Sequence, residues 1–295
     1  MKLLLACILL SVAVAQGDPQ RYVRRFPSGR ARRPMDTVVL RPSGSHQDDT
    51  KEAPGGGRII GGVEASLGQF PWQAAVRLDG SAFCGGSLIT ENCVLTAAHC
   101  AYGTTSFTIS LGTLSSAENP EGALTQTSTD AVVHPDYWTD GSTTDNDVAV
   151  VHLSEMVTLT DTIKTVRLAS QVDKTYNYWT ATLSGWGKVS DESQTVSPAL
   201  LYVDLVVIPN EDCEEAFPGA ISIDHICTRG ATNESPCNGD SGGPLVVLEE
   251  DGEITQVGVV SFGSDYGCSL GYPGAYARVT TYLDWINENS VHGGR

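Results

Sequence analysis

The chain has 295 residues, 41% of them hydrophobic and 18% charged, with 35 acidic against 18 basic side chains and a net charge of −17. That apolar content excludes a disordered chain and suffices for a large core, and all-β proteins of about 200 to 250 residues form single domains. The acidity excludes nucleic acid as a partner, because such a surface repels phosphate backbones.

Lys2, the apolar run 3–14 and Ala13-Val14-Ala15 read as a secretory leader over 1–15, cut near Ala15. The run falls short of the roughly 18 to 20 residues that cross a bilayer. The mature protein is therefore expected to be secreted, extracellular and off membranes. Residues 16–58 are rich in Arg, Pro, Gly and Ser and hold little that could form a core. Residues 1–58 carry 10 of the 18 basic side chains and five acids, which leaves 8 basic and 30 acidic residues in 59–295, a net of −22. Beyond Arg58, short β-branched and aromatic runs at 73–78, 94–96, 107–111, 148–153, 201–208 and 256–262 alternate with Gly, Asn, Asp and Pro. This pattern predicts an all-β sandwich or barrel. At 281–286, Thr281 is a candidate cap, and Tyr282, Leu283, Trp285 and Ile286 can share one face of a terminal helix.

Of the eight cysteines, Cys7 leaves with the leader, and the remaining seven include one without a partner. No cysteine pair has zinc-site spacing and no H-E-x-x-H occurs, so no metal is expected.

Acyl transfer needs a nucleophile, a base, a carboxylate that orients the base, and donors facing the developing oxyanion. Gly239-Asp240-Ser241-Gly242-Gly243-Pro244 surrounds a serine with glycines that let backbone amides approach a carbonyl. A bare G-x-S-G is as often an ordinary turn; the six-residue string is far more specific. Leu95-Thr96-Ala97-Ala98-His99-Cys100 ends a β-like run in a histidine beside a cysteine. His46, His134, His152, His225 and His292 lack that setting and are read as ordinary polar residues. Asp145-Asn146-Asp147-Val148-Ala149-Val150 opens an apolar strand with a carboxylate, and a buried carboxylate needs a partner such as a histidine ring.

In this order the three strings resemble those of chymotrypsin-like serine proteases, and the resemblance covers 59–295. It implies two six-stranded antiparallel β-barrels with a short C-terminal helix, an active site in the cleft between them, and no cofactor. By motif, Ser241 would be the nucleophile, His99 the general base and later acid, and Asp147 the orienting carboxylate. The amides of Gly239 and Ser241 would form the oxyanion hole, with Ser261 lining the cleft near Asp147. Ser235 would be the base of the specificity pocket, and Gly263 and Gly274 its walls. A neutral base and open walls imply cleavage after Phe, Tyr, Leu and Trp, while Asp265 at the rim would allow some cleavage after basic residues, as in collagen-cleaving relatives.

The resemblance also implies a zymogen with 16–58 as pro-segment. Cleavage after Arg58 by a trypsin-like protease would free Ile59, whose ammonium would pair with Asp240. Arg-Ala-Arg-Arg at 30–33 is a second candidate cut, but Pro34 follows it directly. Family context pairs Cys84 with Cys100, Cys213 with Cys227 and Cys237 with Cys268. Cys93 is left over, as a small buried hydrophobe. Thr113 stands where calcium-binding relatives place a glutamate, so Glu118 and Glu121 are expected to hold no ion. Pro236 follows the sequon Asn233-Glu234-Ser235, and no glycan is expected there.

Ala181 occupies a position where vertebrate relatives have a further cysteine, which makes invertebrate digestive chymotrypsins the best match. The expected partners are protein or peptide substrates, the activating protease and protease inhibitors, and the enzyme is expected to be a monomer. The rivals are a cascade protease with restricted substrates and an inactive homologue that binds a partner. All three catalytic residue types are present, and 16–58 holds no cysteine-framed regulatory module.

Overall fold

The computed structural model describes residues 61–117, 120–141 and 143–291. The leader, the segment 16–58 with Arg58, Ile59, Glu118 and His292 lie outside the described residues.

Alternation builds the strands. Along Leu201–Ile208 the side chains of Leu201, Val203, Leu205 and Val207 are buried, while Asp204 and Val206 face outward. Cys93–Thr96 and Ala149–His152 are instead buried throughout, because they pair with each other inside a sheet, Ala149 opposite Thr96.

That first sheet has seven strands in the order Leu124–Ser128, Phe107–Leu111, Gln73–Leu78, Ala82–Thr90, Cys93–Thr96, Ala149–His152 and Ala131–Val133. The second contains a closed ring of six: Leu201–Ile208, Thr180–Gly185, Pro244–Leu248, Ile254–Phe262, Gly274–Arg278 and His225–Arg229, which returns to the first by pairing Val206 with Arg229. Val63–Glu64 adds to its edge, and Arg167–Leu168 runs parallel to Ile254–Phe262. The architecture is thus all-β, with one closed six-stranded barrel. The first sheet is a half-barrel, its end strands joined by no ladder among the described residues, and with the closed barrel it makes up the expected two-barrel architecture.

One hydrophobic cluster runs through both halves, from Val76, Leu88 and Ile109 to Leu183, Leu205, Ile226 and Tyr276. Buried polar pairs cross between them. Ser184 Oγ donates to Gln73 Oε1 at 2.6 Å, and Ser87 Oγ donates to Gln256 Oε1 at 2.7 Å. A buried hydroxyl or amide without a partner is costly, and the pairing offsets that cost while fixing the register of one half on the other.

The terminal helix spans Val279–Ser290 and buries Val279, Thr280, Tyr282, Ile286 and Ser290. Thr281 is not its cap. The strand Gly274–Arg278 runs straight into the helix, so Arg278 holds the cap position and Thr281 is exposed in the first turn. Leu283 and Trp285 are only half-buried.

Disulfides join Cys84 to Cys100, Cys213 to Cys227 and Cys237 to Cys268, and Cys93 is free and fully buried. Burial pushes the Cys93 thiol up to about 12, with the Asp130 charge adding to the effect. A thiol so far above neutral pH supplies almost no thiolate, the form that reacts. Iodoacetamide should therefore leave Cys93 unlabelled in the native protein and modify it within minutes in denaturant, read by intact mass. Stoichiometric labelling of the native chain would contradict this burial.

Candidate active site

The strand Cys93–Thr96 ends in the four-residue helix Ala98–Ala101, which carries His99. The Cys84–Cys100 bridge ties that helix to the neighbouring strand Ala82–Thr90. Asp147 approaches from the other side. Asn146, just before it, has a φ of +55°, a left-handed conformation that asparagine tolerates better than most residues, and its Nδ2 donates to Asp136 O at 2.9 Å.

The Asp147 carboxylate holds His99 twice. Oδ1 accepts the His99 backbone N–H at 2.8 Å, and Oδ2 lies 2.8 Å from Nδ1 of the ring. Oδ2 also accepts the Ser261 hydroxyl at 2.5 Å. Ser261 reaches it from a register shift between Val260 and Phe262, the kind of irregularity that re-aims a side chain out of a sheet. Asp147 and Ser261 are buried, and the His99 side chain is 31% exposed. Burial alone would raise the Asp147 carboxyl, but the facing His99 ring, the Ser261 hydroxyl and the His99 amide outweigh it and hold it below its ordinary value. Burial likewise opposes a charged His99, and the adjacent Asp147 overcomes it and raises the imidazole. A histidine so placed has Nδ1 engaged by Asp147 and is stabilised once protonated.

Ser241 lines the same cavity as Ser261, the hydroxyl that donates to Asp147, and is half-buried, with its carbonyl accepting the Gly85 amide at 2.7 Å. Among the described residues no hydrogen bond joins its Oγ to His99; such bonds tighten when substrate closes a site. Around it the amides of Asp240, Gly242 and Gly243 donate to Cys237, Val260 and Asp240. Among the described residues the Gly239 and Ser241 amides make no such bond, and they remain available as donors.

Ser241 also borders a cavity of about 200 Å³ lined by Ser235, Ser261, Gly263 and Asp265. Ser235 is buried, and its hydroxyl donates to Cys268 O at 2.6 Å. A side chain at Gly263 would meet nothing within 4 Å, so that wall is open. Gly274 stands behind the lining: a Cβ there would lie 2.6 Å from Cγ of Pro236, itself a lining residue. The structure adds Asn238 and Tyr272 to the lining. Asn238 could have been suspected from its place just before the G-D-S string, whereas nothing near Tyr272 signals its role.

Model matching places residues 59–286 in the family described as Trypsin. The chain belongs to the trypsin family. It is 41% identical to Brachyurin of Leptuca pugilator, over 79% of this chain and 98% of that protein. It is 36% identical to Chymotrypsin of Phaedon cochleariae, over 79% of this chain and 82% of that one. The solved structure of HL collagenase superimposes with a TM-score of 0.70 at 38% identity, covering 78% of this trypsin-family chain and 98% of the other. The protein is a trypsin-fold serine protease that acts on protein substrates. No helix among its described residues is long and apolar enough to cross a membrane.

Asp240, beside Ser241, is fully buried and faces no cation among the described residues. Its oxygens accept the Gly187 amide at 2.7 Å and the Cys237 amide at 3.0 Å. A Cβ on Gly187 would sit 2.0 Å from the carboxylate, so only glycine admits it. Burial raises this carboxyl from 3.8 to about 6, against the pull of the two amides. Because the folded value exceeds the unfolded one, the folded chain binds the proton more tightly; the stabilisation is complete below about pH 4 and lost as pH rises through about 6. A gap of about two units corresponds to about 3 kcal/mol. Urea unfolding of the uncleaved chain should lose about that much more stability between pH 4 and pH 7 than its Asp240→Asn variant does. Parallel pH profiles for the two proteins would show that Asp240 is not titrating from a buried, unpaired state.

Proposed function

We propose that this protease is secreted as a zymogen and cleaves peptide bonds after large apolar residues through an acyl-enzyme. In this reading Ser241 attacks the scissile carbonyl, and His99 takes its proton and returns it to the leaving amine. Asp147 fixes the ring and stabilises the imidazolium, and the Gly239 and Ser241 amides receive the oxyanion. The observation that carries it is the double hold of Asp147 on the His99 backbone and ring, with Ser241 lining the cavity that holds Ser261, the third donor to Asp147.

Activation by cleavage after Arg58 follows from Asp240. A freed Ile59 ammonium would supply the charge that this buried carboxylate lacks among the described residues, and a matched buried pair is far less costly than a lone charge. The pocket preference rests on Ser235, a neutral hydroxyl already committed to a carbonyl, and on the open wall at Gly263. A Lys or Arg side chain would find no buried anion at the base, whereas an aromatic ring gains about 25 cal/mol per Å² on burial. Asp265 is exposed at the rim and gives basic residues a second-best fit. A digestive role agrees with the relative named Chymotrypsin and with a pro-segment free of cysteine-framed modules.

Ser241→Ala and His99→Ala should each lower kcat by about 10⁴-fold or more, with the double variant little worse than either, because the pair acts as a unit. Normal turnover by Ser241→Ala would end the assignment. An Arg58→Gln precursor should stay inactive after trypsin treatment, and the active enzyme should begin at Ile59 on N-terminal sequencing. On matched peptides, kcat/KM should rank Phe and Leu above Arg and Ala; an Arg or Ala peptide outrunning both would mean that the pocket is misread.

A further inference from the structure

Asp191 belongs to none of the motifs above, yet its carboxylate receives three hydrogen bonds from two successive residues 77 and 78 positions away. The Cys268 amide donates to Oδ1 at 2.6 Å, the Ser269 amide donates to Oδ2 at 3.2 Å, and the Ser269 hydroxyl also donates to Oδ2. These two residues sit in the segment between strands Ile254–Phe262 and Gly274–Arg278, which forms one wall of the cavity beside Ser241 and pairs with no strand. Within that wall the backbone is weakly held, by Gly267 N–H to Ser264 O at 3.3 Å and Tyr266 N–H to Ser264 Oγ at 3.2 Å.

What fixes the wall comes from outside it and converges on Cys268. The disulfide to Cys237 holds its side chain, the Ser235 hydroxyl holds its carbonyl, and Asp191 holds its amide. Asp191 is itself presented on a tight turn, closed by Ser193 N–H to Ser190 O at 3.1 Å, and its loop enters the site through Lys188 N–H to Asn238 O at 2.9 Å. Gly267 has a φ of +132°, and a Cβ there would lie 2.7 Å from Asp191 Oδ2. The wall therefore carries glycine at the one position where a side chain would collide with the carboxylate. The Ser269 hydroxyl and the Cys268 amide, in that order, hold the Asp191 carboxyl below its ordinary value, so at neutral pH it is a full anion and accepts charge-assisted hydrogen bonds.

We propose that Asp191 is a positioning residue for primary specificity, its carboxylate setting the pocket wall at Cys268, directly and through the neighbouring Ser269, and so the width of the slot offered to an aromatic side chain. The proposal rests on the cavity being the specificity pocket, as read under Proposed function. Asp191 touches neither the substrate nor the reacting atoms, so its loss should act on pocket filling and leave serine chemistry intact.

The test uses the activated enzyme and its Asp191→Ala, Asp191→Asn and Ser269→Ala variants. Indole probes the pocket as a competitor that fills it without reacting, and a small phosphonofluoridate probes Ser241 without filling the pocket. Matched peptides with Phe or Ala before the cut bond connect the two. For Asp191→Ala the indole Ki should rise about tenfold and kcat/KM on the Phe peptide should fall about tenfold, with the Ala peptide and serine labelling within about twofold. Ser269→Ala, which removes one bond of three, should shift indole by about threefold. Asp191→Asn keeps the side-chain volume but only one acceptor, and should fall between them if Asp191→Ala does not fold.

An unchanged indole Ki in the Asp191 variants would overturn the proposal. So would Ala-peptide turnover and labelling that fall as far as Phe-peptide turnover, since that would place Asp191 in the general ordering of the site. An unmodified enzyme that prefers the Ala peptide and binds no indole would remove the pocket reading and the proposal together, whereas a loss confined to the variants leaves the pocket reading standing.

Discussion

The buried carboxylate of Asp147 is the constraint around which the site is built. A lone charge in the interior costs several kcal/mol, and it is tolerated only when nearly every lone pair has a donor. Asp147 meets that condition by drawing donors from both halves of the molecule: the His99 amide and ring from the half-barrel, and the Ser261 hydroxyl from the closed barrel. Local irregularities accompany the carboxylate and its donors, namely a four-residue helix that carries His99, a left-handed Asn146 before Asp147, and a register shift at Ser261. These departures from regular geometry sit where the charge has to be satisfied.

The legible parts of the sequence were those set by local chemistry. Strands Gln73–Leu78, Phe107–Leu111 and Leu201–Ile208 announce their limits through apolar runs bounded by turn formers, and the D-N-D and G-D-S strings carry their own backbone requirements. The helix start was misplaced because Thr281 looks like a cap, yet the preceding strand delivers the chain already oriented for helix at Val279. Barrel closure was not legible from the residues alone; the two-barrel expectation came from the family resemblance. Closure depends on ladders between distant strands, and among the described residues the end strands of the half-barrel are not paired with each other. Asp191 was silent for the same reason: its partners are two backbone amides and one serine, and no residue type near it signals a contact across the fold.

In the proposed pocket the neutral base is already committed as a donor. Ser235 has one hydroxyl proton, and Cys268 O takes it at 2.6 Å. The Ser235 oxygen keeps lone pairs that can still accept a hydrogen bond, but it carries no charge to balance a buried cation. On that proposal selectivity rests on shape, and the irregular wall of the cavity is anchored from three separate segments.

The C-terminal helix grows directly out of the closed barrel, yet it is fastened to the other half. The His152 ring, on the half-barrel strand Ala149–His152, donates from Nε2 to Asn289 O at 2.8 Å, and His134 packs its ring against Tyr282 at 5.5 Å and Trp285 at 5.0 Å. Such a strap ties the two halves together through one element. Loosening the helix would cost buried packing on the closed barrel and hydrogen bonding on the half-barrel at the same time.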